Sequence, residues 1–258
     1  MSELLKNERD FVVPGDEIVN SMEFLPGRNS FRDGNSIYSK RLGLVHVENH
    51  VVSVVPLSGG YMPLIGDMVI GEVVDVQSNG WIINIDSAYD AYLPLSGVRQ
   101  FVRQGADLSK IYAIGEIMYA KVFVASGTSL NVSMQDIRAR KLVGGKLMEI
   151  SPVKVPRLIG KQGSMISLIK ERTGCNIYVG QNGIIWVFGD NYDLVTEVIK
   201  KIEKESHIEG LTDNIEKLLA EKGLKFVAKP PEPKEEQEPP QELNQEDNTE
   251  NTNEEEVE

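Results

Sequence analysis

Gly160-Lys161-Gln162-Gly163 constrains this chain more than any other stretch. It is a two-glycine turn set between a short apolar run and a helix start, with a cation at its tip. Val153, Val155, Leu158 and Ile159 precede it, with Pro156 among them suited to opening a short helix. Ser164 follows as an expected N-cap, then Met165, Ile166, Leu168 and Ile169 at helical spacing. Paired glycines let the backbone turn sharply and approach a ligand without a Cβ in the way. The free N–H groups opening the second helix then favour an anion such as phosphate. Lys154, Arg157, Lys170 and Arg172 add cations nearby. The four-letter pattern alone also fits a turn with only a structural task, so its neighbours decide.

Those neighbours run from about Gly145 to Ser206. Leu147 to Val155 reads as a strand, followed by the helix, turn and helix just described. Cys175 to Val179 and Ile184 to Phe188 read as strands joined across Gly180-Gln181-Asn182-Gly183. A long amphipathic helix follows, with Leu194, Val195, Val198, Ile199 and Ile202 on one face. This order resembles a type I KH α+β domain, whose GXXG loop clamps a nucleic-acid backbone. The resemblance assigns RNA contacts to Gly160, Lys161, Gln162, Gly163 and Ser164, with Lys154 and Arg157 beside them.

From Gly66 to Met134 the pattern is five short strands. Val69 to Val76, Trp81 to Ile85, Ala91 to Leu95, Ile117 to Val124 and Leu130 to Met134 are the predicted members. Gly71 marks a bend in the first and Asn79-Gly80 a turn after it. Five such strands, with one longer loop before the fourth, match a five-stranded OB barrel. Val69-Ile70-Gly71-Glu72-Val73, Asn79-Gly80-Trp81-Ile82-Ile83, Gly115-Glu116-Ile117-Met118 and Leu130-Asn131-Val132-Ser133 resemble an S-one type RNA-binding domain. OB barrels commonly stack bases on exposed aromatics. Here alternation puts Trp81, Ile83 and Ile85 on the core side and Ile82 and Asn84 outside. Tyr92 is left facing either way. Arg99, Arg103 and Lys121 are the basic candidates, against ordinary solvated charges.

The first sixty residues read as an all-β module. Val12-Val13-Pro14-Gly15-Asp16 ends a strand in a Pro-Gly turn, and Arg41 to Val47 and His50 to Pro56 form a hairpin around Glu48-Asn49. His46 and His50 flank that turn, and no metal site is expected there.

The 258 residues, 41% hydrophobic, suffice for several small cores. The formal net charge of −12 is concentrated in one place, since 2 Lys and 12 Asp or Glu follow from Lys229 onward. The preceding body is close to neutral, so a nucleic-acid partner is not excluded. The Pro- and Glu-rich tail at 229–258 is expected to be disordered. Thr212 to Gly223 reads as a last short helix. A single cysteine excludes a disulfide framework or a Cys-based zinc site, and Cys175 reads as a core residue. Neither a membrane span nor a basic-then-apolar leader is legible, and a soluble cytoplasmic protein is expected. No Ser/His/Asp or Cys/His arrangement points to an enzyme, and no cofactor is called for.

The whole order resembles the ribosomal RNA-processing protein four family, RNA-binding cap subunits of the archaeal exosome. The pieces that carry this are Val12 to Asp16, the stretch Tyr61 to Gly71, and Leu158 to Ser164. The resemblance implies a multidomain chain: a ring-docking module at 1–60, the barrel at 61–140, the KH domain at 145–207 and a helix at 208–228, ahead of the tail. It further implies a non-catalytic subunit, three copies of which surround the pore of an RNase-PH-like hexameric ring. They capture single-stranded RNA, with A-rich RNA favoured, for three-prime to five-prime degradation. The alternative is a stand-alone S-one/KH factor in transcription or translation. Co-purification with a phosphorolytic ring separates the two.

Overall fold

The computed structural model describes residues 3–103, 105–127, 129–205 and 211–221. The acidic tail and Gly223 lie outside the described residues.

The first eight strands are β1 (Glu3–Leu4), β2 (Phe11–Val12), β3 (Glu17–Asn20), β4 (Leu25–Pro26), β5 (Ser30–Asp33), β6 (Ser36–Ser39), β7 (Gly43–Glu48) and β8 (Val51–Pro56). They form two four-stranded sheets, ordered β1-β3-β6-β5 and β2-β7-β8-β4. Val12, Ile18, Val19, Ile37, Val45, Val52 and Val54 pack together as their core. The β7–β8 turn is Asn49-His50, one residue later than expected, with φ of 47° and 61°. Two consecutive positive φ values suit the right-handed twist of a tight hairpin. The β5–β6 hairpin has no counterpart in the sequence reading, because Ser30 to Ser39 is too polar to show a strand's apolar alternation.

Five strands then close a barrel: β9 (Met68–Gln77), β10 (Gly80–Asn84), β11 (Ala91–Pro94), β12 (Ile117–Ser126) and β13 (Ser129–Ser133). Pairing runs β13-β11-β10-β9-β12, and β12 pairs with β13 to complete the circuit. Trp81, Ile83 and Ile85 are buried with Leu93, Met118, Val122 and Val132, as the alternation requires. The Trp81 indole donates to the Tyr112 carbonyl at 3.0 Å, which satisfies its one buried polar atom. A short sixth strand, β14 (Arg140–Leu142), adds to the free side of β12.

The last unit comprises β15 (Lys146–Glu149), α1 (Val155–Ile159), α2 (Ser164–Thr173), β16 (Asn176–Val179), β17 (Ile184–Phe188) and α3 (Tyr192–Glu205), with α4 (Leu211–Glu221) after it. The predicted strand over Leu147 to Val155 is therefore shorter. It ends at Glu149, and Pro152–Lys154 form a 3-10 turn leading into α1. Its sheet order is β15-β17-β16, with the helices covering one face. Val155, Leu158, Ile169, Val195, Val198, Ile199, Ile215 and Leu219 lie in one core with the sheet. The architecture is thus an all-β module, an OB-type barrel and a KH α+β domain.

The barrel and the KH sheet are joined by the turn at 180–183. Strand β10 has its last pairing with β9 at Asn84–Glu72, which leaves Ile70 without a strand partner on that side. The Asn182 carboxamide takes the place of one. Its Oδ1 accepts from the Ile70 N–H at 3.3 Å, and its Nδ2 donates to the carbonyls of Ile70 and Ile85 at 2.7 and 2.8 Å. The Gln181 N–H donates to the Met68 carbonyl at 2.8 Å. A Cβ on Gly180 would lie 2.9 Å from the Ile70 nitrogen, so only glycine permits this approach. Ile70, Leu142 and Trp186 form a small core across the same junction.

Candidate nucleic-acid interface

The turn between α1 and α2 is built by its glycines. Gly160 has φ 75° and ψ 177°, Gln162 has φ 50°, and Gly163 has φ 80°. A Cβ on Gly160 would lie 2.8 Å from the Met165 Cβ and 2.9 Å from its nitrogen, so the first glycine is fixed by packing. A Cβ on Gly163 would meet nothing closer than 4.0 Å. There the left-handed backbone demands glycine while the space in front stays open to a ligand. Lys161 and Gln162 are exposed at the tip. Ser164 is the first helical residue rather than the cap: Gly163 holds the N-cap position, with no side-chain cap bond. The N-terminal donors of α2 therefore face the loop without a side-chain acceptor at the cap.

The candidate cations divide by what they touch. Lys154 Nζ donates to the Glu203 carbonyl at 2.6 Å, tying the start of α1 to α3. Arg157 is exposed on α1. Arg99 donates to four carbonyl oxygens, at Met134, Asp136, Ile137 and Ala139, between 2.6 and 3.1 Å, so its guanidinium braces the segment after β13. Lys121 Nζ lies 3.0 Å from Asp136 Oδ2, and Arg138 Nε lies 3.1 Å from Oδ1. Bonds from Arg138, then from Lys121, hold the Asp136 carboxyl well below the usual carboxylate range. Arg103 is exposed in the loop before β12. Beside it Phe101 is 91% exposed, an aromatic that the alternation of strand faces does not bring out because it sits on a loop.

Tyr92 faces outward, opposite Ile82 across β10–β11, and its hydroxyl donates to the Asn79 carbonyl at 2.8 Å. Among the described residues no group of His, Cys, Asp and Glu is placed to hold a metal ion. His46 lies 3.4 Å from Glu8 and 3.7 Å from Glu48.

A closed OB-type barrel fixed to a KH domain with an open two-glycine loop defines a modular nucleic-acid-binding protein. The chain matches family models for a KH domain at residues 145–191, for the S1 domain of RRP4 at 60–122, and for the N-terminal domain of the exosome RNA-binding protein RRP4 at 9–58. It is 41% identical over 227 residues to exosome complex component Rrp4 of Thermococcus kodakarensis, covering 85% of this chain and 88% of the relative. The Rrp4 of Methanothermus fervidus is 39% identical over 219 residues, covering 84% and 97%. A crystal structure assigned to an exosome complex RNA-binding protein superposes with a TM-score of 0.56 at 34% identity, covering 63% of this chain and 97% of the other. The chain belongs to the Rrp4 family of exosome components.

Proposed function

We propose that this chain is a non-catalytic, RNA-binding cap subunit of a cytoplasmic archaeal exosome, capturing single-stranded RNA for three-prime to five-prime decay. The observation that carries the reading is the loop at 160–163: an exposed lysine, open space at Gly163, and helix donors that face it. Relatives named as exosome components support the assembly. The N-terminal module is the part suited to dock on an RNase-PH-like ring. Phe11, Leu44 and Val55 are direct cross-strand neighbours on the outer face of β2-β7-β8. Phe11 and Val55 are 55% and 50% exposed there. Three caps around the pore, and a preference for A-rich RNA, complete the proposal.

The test is decay by a reconstituted ring with and without this chain. The cap should co-elute with the ring and speed decay at limiting RNA. The gain should vanish at saturating RNA, because the cap supplies capture and no chemistry. Oligoadenylate should be captured better than oligouridylate. Tight RNA binding with no association with the ring would favour a stand-alone factor instead.

A further inference from the structure

The seam between the barrel and the outer face of the KH sheet carries a cluster of rings and cations, one of which, Lys170, comes from α2, the helix that opens at the 160–163 loop. Tyr119, Tyr178, Trp186 and Phe188 follow one another at centroid spacings of 5.4, 5.7 and 5.8 Å. Trp186 and Phe188 are stacked, with 7° between their planes. Trp186 is buried and Phe188 is 42% exposed, so the row ends in a ring with an open side. A groove of about 680 Å³ opens beside Tyr178, Trp186 and Phe188, lined also by Arg140, Tyr112 and Lys110. That size lies within the range of clefts that take a small ligand.

Two cations converge on the middle of the row. The Arg140 guanidinium lies 5.4 Å and the Lys170 ammonium 5.5 Å from the Tyr178 ring centroid. Neither has a carboxylate partner among the described residues, whereas neighbouring Lys141 is held by Glu116 at 2.5 Å. Arg140 Nε is buried with no hydrogen-bond acceptor. Burial, and then the charge of Arg140, push the Lys170 ammonium down from its ordinary value. Two like charges that act on one another beside one ring, one with an orphaned buried donor, would both be stabilised by an anion.

We propose that this seam is a second RNA-binding subsite, in which Arg140 and Lys170 take a backbone phosphate and a base stacks on the open side of Phe188. The chemistry selects single-stranded RNA over a protein segment. The cations call for an anion at fixed spacing from a flat ring, and stacking on an aromatic accepts any base. The inference rests on the RNA-binding reading above and adds a site to it.

The full chain is titrated into a fluorescein-labelled single-stranded RNA of about sixteen nucleotides, the upper site size of one OB fold. Phe188→Ala should weaken binding by about 5- to 150-fold, the range for one base on an aromatic side chain, while Phe188→Tyr keeps parental affinity. Arg140→Gln should lower the slope of log affinity against log salt by about 0.7, as for one lost phosphate contact on a single strand. RNA should also quench the emission of Trp186. If Phe188→Ala does not fold by circular dichroism, the Arg140→Gln slope and the quenching decide. Parental affinity and slope in the seam variants, with Lys161→Ala still lowering the slope, overturns the seam and leaves the RNA reading standing. Absence of RNA binding by the parent overturns both. Seam variants that keep RNA affinity but leave the ring would assign the face to a protein and overturn the subsite.

Discussion

Replacing Asn182 by alanine should uncouple two domains without touching the core of either. The side chain is 1% exposed and makes three hydrogen bonds, one accepted from Ile70 and two donated to Ile70 and Ile85. Alanine leaves one N–H and two carbonyls unpaired in a buried junction. Each such group costs roughly 1–3 kcal/mol, and a water entering the vacated space offsets part of it. The loss is therefore about 3–5 kcal/mol, and at 2–4 °C per kcal/mol it lowers the melting temperature by roughly 6–20 °C. Asn182→Asp should be at least as damaging, because it turns a donor pair facing two carbonyls into an acceptor. Differential scanning calorimetry is the assay. The parent should melt the barrel and KH domain together, and the alanine variant should show two separate transitions. A variant that melts in one transition within about 2 °C of the parent would refute the argument, since that shift is below the loss of even one buried bond.

Gly163→Asp forces a side chain into φ 80° and sets an anion before the helix donors, so RNA affinity should fall steeply in a filter-binding assay while circular dichroism stays parental. Lys161→Ala should be milder, lowering the salt slope by about 0.7. A chain beginning at Tyr61 should still bind RNA yet fail to co-elute with the ring, because the Phe11-Leu44-Val55 face is gone; stable co-elution would relocate the docking surface. Asp136→Asn should cost about 1–2 kcal/mol near neutral pH by releasing Lys121 and Arg138. The folded carboxyl titrates below its unfolded value of about 3.9, so its contribution is fully present above that pH and is lost as pH falls through the folded value. Urea titrations should therefore show parent and variant converging at acid pH.

The barrel was legible because closure imposes a period of two, and Trp81, Ile83 and Ile85 obey it without exception. The KH order was legible because apolar runs, glycines and helix faces agree along 145–205. What escaped depends on partners distant in sequence. Lys154 finds its acceptor 49 residues on, in α3, and Arg99 finds one 35 residues on, past β13. A basic residue read by itself looks equally available in either role. Val155 belongs to a helix despite its β-branched neighbourhood, since Pro152 and Pro156 fix backbone angles that suit helical turns. Strand β14 is three residues long, too short for any alternation to register. Asn182 looked like an ordinary turn residue, and nothing local says that its amide completes another domain's sheet.

Because that amide pins the KH sheet to β9, the separation between the Lys161 tip and the outer face of the barrel is set by the fold rather than by a linker. On the proposed RNA-binding reading, two weak contacts at that fixed spacing should behave as one ruler. An RNA too short to reach from one to the other should bind with single-site affinity, and each added nucleotide should change little until the span is met. At that length the second contact should become intramolecular and affinity should climb in a single step, by the effective concentration that a rigid spacer provides. That length would be held by the junction in which Asn182, Gln181 and the Ile70-Leu142-Trp186 core meet.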